Sequence, residues 1–134
     1  MSLTIFANEM RNIAAALTQN IPAMQREVAV NVVDFVANAT PVDTGQASGN
    51  WKTTIGVPTS AWDQGGSSGP GKSMADVRNA LRTLSIGQTV CIANNVPYIV
   101  KLNNGYSAQA PSLFVELATA NALAQLGRYN LLIR

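Results

Sequence analysis

Over the first forty residues apolar side chains recur at intervals of three and four: Leu3, Phe6, Met10, Ile13 and Leu17, then Ile21, Met24, Val28, Val32, Phe35 and Ala39. That period places them on one face of a helix and excludes a strand, whose side chains alternate. Asn20 followed by Pro22 reads as a cap and a first-turn proline. The spacing therefore predicts a short helix, a break or kink near residue 20, and a longer helix to about residue 39. The stripe is expected to pack as core, with a docking helix exposed for a partner as the alternative. In a chain of 134 residues such a helix leaves room for one further layer, and residues 1–134 are read as a single domain.

Pro41 turns Thr40 away from helical geometry, and Asp43 with Gly45 favours a turn. From Ser48 to Val57 the period changes to two, through Trp51, Thr53, Ile55 and Val57, which predicts a strand with one buried face. Residues 58–73 hold four of the ten glycines and two of the six prolines. They read as a flexible Gly/Ser/Pro-rich loop. Val77, Leu81 and Leu84 then share a face of a short helix over 74–84. Thr89–Ala93 is a strong short strand, and Pro97–Leu102 reads as a strand or a single helical turn, its aromatic and β-branched content favouring strand. Leu113, Leu117, Ala120 and Leu123 or Ala124 predict the buried face of a last helix with Gly127 as its C-cap. Tyr129–Ile133 is a candidate last strand. The expected fold class is α+β: N-terminal helices, one of them long, on a small antiparallel sheet, plus a short middle helix and a C-terminal helix.

Two segments look chemical. Gly66–Ser73, GSSGPGKS, fits the spacing of a phosphate-binding loop. Such a loop needs a buried strand feeding it, and TSAWDQG supplies none. It also needs a magnesium-holding acid at the end of a second strand, which is absent as well. The expected alternative uses Ser73 as N-cap of the following helix, with Asp76 three residues on. Asp43-Thr44-Gly45 spells the aspartic-protease triplet, but it follows a helix and a proline, and no second copy exists.

The chain contains no histidine and a single cysteine, Cys91. It therefore lacks the commonest general base, every Ser-His or Cys-His pair, and a good zinc shell. No enzyme activity, cofactor, metal or small-molecule substrate is expected. The start has no signal-peptide pattern, and no apolar run is long enough to span a membrane. Synthesis in a cytoplasm is the expectation. Nine basic and seven acidic residues make 12% of the chain charged against 47% hydrophobic, few charges for a soluble monomer. Part of the surface is expected to meet another protein.

Thr40-Pro-Val-Asp-Thr-Gly45, followed by the Trp51 strand, resembles the A-P-V-D-T-G-x-L-x-x-S segment of small neck or tail-completion proteins of long-tailed bacteriophages. Val96-Pro97-Tyr98, Asn104-Gly105-Tyr106 and Gln109–Phe114 are similar to that family's P-Y-x-x-x-x-E-x-G-x-x-x-x-P-x-x-F-[LV] segment. The resemblance runs in order over about residues 5–125. The chain departs from it at Gln46-Ala47, where the family has Arg-Leu, and at Asn103, where the family often has an acid.

The resemblance implies a virion protein, made in the host bacterial cytoplasm, that forms a homo-oligomeric ring, sixfold or twelvefold, at the head–tail joint. It would work against adjacent neck and tail proteins, without catalysis. Pro41, Asp43 and Gly45 then shape a structural turn. Trp51, Trp62, Tyr98, Tyr106 and Phe114 are candidate inter-subunit contacts, with Trp62 anchoring the 58–73 loop on a neighbour. A tail terminator, adaptor or tube ring of the same virion is an alternative. So is a module that contacts passing DNA through Lys52, Lys72, Arg78, Arg82 or Lys101.

Overall fold

The structure, a computed structural model, describes residues 3–41, 45–64, 69–105 and 112–131. Helix α1 runs without interruption from Leu3 to Ala39, about 55 Å at 1.5 Å per residue. The break expected at residue 20 is absent. Pro22 lies inside the helix and removes the amide that would bond to the Thr18 carbonyl, normally a cost of about 3 kcal/mol. Packing offsets that loss. Pro22 is buried beside the Leu84–Ile86 turn. On one side of it Asn20 Nδ2 donates to the Leu131 carbonyl at 2.8 Å, and on the other Arg26 Nη1 reaches the Leu84 carbonyl at 3.4 Å.

Strand β1, Lys52–Ile55, and strand β2, Val90–Ala93, form an antiparallel pair with Thr53 opposite Ile92 and Ile55 opposite Val90. Between them lie helix α2, Pro70–Ala80, and a 3-10 turn at Leu81–Thr83. Helices α3, Ile99–Asn103, and α4, Phe114–Leu126, complete an α+β fold. Both α2 and α4 pack along α1. The core joins Ala29, Val33, Val36 and Ala37 of α1 to Trp51, Val77, Leu81, Phe114 and Ala118. The deepest line of α1 is thus one residue on from the expected Val28, Val32 and Phe35, of which Val32 and Phe35 pack only around it. Two flanking helices bury a helix from both sides, and the small Ala29 and Ala37 sit where the neighbours approach.

Val77, Leu81 and Leu84 are buried as expected. Three other expectations need correction. Residues 99–103 are helical, because the Asn94 side chain accepts from the Val96 amide at 3.1 Å and turns the chain off the sheet before Pro97; the Val96 carbonyl then takes the Ile99 amide. That local turn overrides β propensity. In α4 the buried side chains are Phe114 and Ala118, whereas Leu113, Leu117 and Leu123 face outward. Residues 129–131 are not a strand, and 132–134 lie outside the described residues. The Tyr129 hydroxyl accepts from Gln125 Nε2 at 3.3 Å instead, and its pKa is raised by burial and by the Glu27 carboxylate.

Candidate functional site

The motif region Thr40–Lys52 closes on itself and on α2 through polar contacts. Gly45 has a φ of 82°, left-handed and costly for any other residue. Its carbonyl accepts the Gly49 amide at 3.0 Å and the Ser48 hydroxyl at 3.4 Å. A Cβ at Gly49 would stand 3.0 Å from the Gly45 oxygen and 3.1 Å from the Gly69 oxygen, so the main chains of the turn and of the α2 entrance meet there with no room for a side chain. Pro41 is half-buried at the end of α1. Asp43, expected as part of the turn, lies outside the described residues.

Trp51 and Ser73 fasten this turn to the core. The indole of Trp51 donates to Thr40 Oγ1 at 2.9 Å, and Thr40 Oγ1 donates in turn to the Val36 carbonyl at 2.5 Å, in the last turn of α1. Ser73 Oγ accepts the Trp51 amide at 3.1 Å and donates to the Ser48 carbonyl at 2.7 Å. Asp76 Oδ2 accepts the Thr53 amide at 2.8 Å. Ser73 and Asp76 are therefore not the expected cap and capping-box partner. Gly69 is the N-cap and Pro70 occupies the first turn, four residues earlier than the 74–84 reading, so the loop ends at Gly69. Proline sets the helical φ at that point, and Ser73, a turn further in, faces the strand.

The described part of the loop, 58–64, is tied down. Asn50 Nδ2 donates to the Asp63 carbonyl at 3.0 Å, Asn50 Oδ1 accepts the Asp63 amide at 2.7 Å, and Asn95 Nδ2 donates to the Thr59 carbonyl at 2.8 Å. Trp62, between those anchors, is half-buried. Asp63 pairs with both Lys72 and Lys52. The hydrogen bond from Lys72, then that from Lys52, holds its carboxyl down to about 2. The lysine of the GKS motif thus neutralises an aspartate of its own loop. Neither Lys52 nor Lys72 is an open phosphate contact, while Arg78, Arg82 and Lys101 are exposed.

The expected inter-subunit contacts divide. Trp51 and Phe114 are 6% and 0% exposed: both are core residues of the subunit and are corrected as such. Tyr98 is exposed, its hydroxyl donating to Gln46 Oε1 at 2.7 Å. Tyr106 lies outside the described residues. Both departures from the family wording have structural uses. Gln46 holds Tyr98, and Asn103 caps α4: its Oδ1 accepts the Val115 amide at 3.0 Å and its Nδ2 donates to the Glu116 carboxylate. Leu113, at a left-handed φ of 60°, gives its amide to the Asn103 carbonyl.

The favoured core packing of the α1 stripe holds for only part of its length. The first half of the α1 stripe is not core: Phe6 and Met10 are 52% and 50% exposed, and Ile5 and Ile13 are exposed too. A second apolar face lies on α4, where Leu113 and Leu117 are exposed and Leu123 is 65% exposed. Val100 of α3 is exposed as well. Exposed apolar side chains at helical spacing thus occur on two elements. Helical period cannot reveal this, since it gives an apolar face and not what lies against it.

Among the described residues no three His, Cys, Asp or Glu side chains converge as a metal site, and no helix is long and apolar enough to cross a membrane. No family model, curated protein or solved structure matches the chain.

Proposed function

We propose that this chain is a structural ring subunit of the head–tail joint of a long-tailed bacteriophage, acting by interface burial and without catalysis, cofactor or membrane. The observation that carries the reading is the pair of exposed apolar faces, one on the first half of α1 and one on α4. A closed ring requires two different, mutually complementary faces on every subunit, so that each copy's first face meets its neighbour's second. The resemblance of Thr40–Gly45 and the Trp51 strand to neck and tail-completion proteins supplies the setting. The buried polar turn supports it by giving that motif a purely architectural task.

In this reading the subunit assembles with itself, sixfold or twelvefold, and with adjacent neck and tail proteins that hold the tail on a DNA-filled head. The test is electron microscopy of phage particles produced with and without the chain. Without it, filled heads and finished tails should separate; joined particles at normal yield would reject the reading.

A further inference from the structure

The two edges of the sheet differ. The Gly56 amide donates to the Thr89 carbonyl at 2.8 Å, which fixes the alternation of the ladder. Lys52 and Thr54 turn their main-chain groups toward Ala93 and Cys91, and Trp51, Thr53 and Ile55 turn theirs outward. The outward amides of Trp51 and Thr53 are taken by Ser73 and Asp76 of α2. On β2 the same alternation directs the N–H and C=O groups of Val90 and Ile92 outward, and among the described residues nothing bonds to them there. Gln88–Ala93 carries no charge and no proline, the usual means of blunting an open edge. Beside this edge runs a groove of about 420 Å³, with Met24, Val28 and Val32 of α1 on its other bank.

We propose that this edge is covered by the same edge of a second copy, antiparallel about a twofold axis through Cys91. The outward groups sit at 90 and 92, symmetric about 91. Val90 of one copy and Ile92 of the other therefore exchange both bonds, twice over, and all four groups on each strand are paired. A seam centred on Ile92 would instead set Val90 against Asn94, beyond the strand end, where the Asn94 side chain turns the chain off the sheet. The strand seam alone falls short of the roughly 1,200–2,000 Å² of a stable interface; the apolar groove adds area, and the second copy brings an identical bank to cover it. The contact is isologous and cannot propagate round a ring. It belongs to the free protein, and it does not rest on the head–tail reading.

The register puts the two Cys91 residues at a non-hydrogen-bonded position, Cα atoms about 4.5 Å apart, within the range a disulfide spans. Oxidation of the full chain with copper phenanthroline should give a covalent dimer that Cys91→Ser abolishes. In that background Thr89→Cys chains should link to Ala93→Cys chains, and neither variant to itself. Val90→Pro removes an outward amide but no β1 bond; it should lower the Cys91 yield about tenfold with an unchanged circular dichroism spectrum. Should that variant unfold, the Thr89 and Ala93 pairing still decides. The proposal is overturned if Ser85→Cys with Cys91→Ser, an exposed thiol on the neighbouring turn, links as fast as Cys91. Self-linking of Thr89→Cys chains as readily as linking to Ala93→Cys would overturn it too.

Discussion

The turn around Gly45–Trp51 and the first half of α1 are built on opposite terms. In the turn, Thr40, Ser48, Asn50 and Ser73 are buried, and each is hydrogen-bonded; their cost of burial is met inside the subunit. In the first half of α1 the large side chains are apolar and half in water, so their cost is met only when something else covers them. The polar region is thus scaffolding and the apolar one is available for contact. Polarity of residues is a poor guide to where a protein meets its partners when the polar groups are already satisfied.

Substitutions should separate the two regions by what they change. Trp51→Ala removes a buried ring and the bond to Thr40 and should cost about 3–5 kcal/mol, measured by urea unfolding. Gly49→Ala puts a methyl against two carbonyl oxygens and should cost about 1–3 kcal/mol. Ser73→Ala leaves the Trp51 amide and the Ser48 carbonyl unpaired in the core, also about 1–3 kcal/mol. It would break the comparison if this variant unfolded like the wild type, since the turn would then owe its shape to something other than its polar contacts.

Smaller effects follow at the surface. Asp63 has its folded pKa depressed from 3.8 to about 2, so its stabilising contribution is present above the unfolded value and is lost as pH falls through the folded one. The wild type should exceed Asp63→Asn slightly in Tm at neutral pH, and the gap should close as pH falls toward 2. It should also narrow in high salt, because the carboxylate is exposed. Phe6→Ser with Met10→Ser should change the stability of the monomer by no more than about 0.5 kcal/mol per site, while changing assembly.

Much of the fold is legible in the sequence because it follows from period alone: the long helix, the Lys52–Ile55 part of the 48–57 strand, the Cys91 strand, and the Val77, Leu81 and Leu84 face. What was not legible depends on distant partners. Pro22 reads as a helix start until the 84–86 turn and Leu131 are seen against its two sides. Leu113, Leu117 and Leu123 read as core because Phe114 and Ala118, which pack instead, have the same apolar character. Ser73 reads as a cap because its bonds to Trp51 and Ser48 span more than twenty residues. Trp51 and Phe114 read as contacts because large aromatic side chains serve cores and interfaces alike.

The division between a satisfied turn and an uncovered helix face is tested most directly by the mass of the purified full chain, measured by light scattering across a concentration series, alongside Phe6→Ser/Met10→Ser/Leu117→Ser. The account predicts a discrete oligomer of six or twelve copies for the wild type at the top of the series, with the edge-paired dimer of the free chain below it, and failure of ring closure in the variant with an unchanged unfolding midpoint. A variant that assembles to the same mass as the wild type, or a wild type that stays monomeric throughout the series, would contradict it.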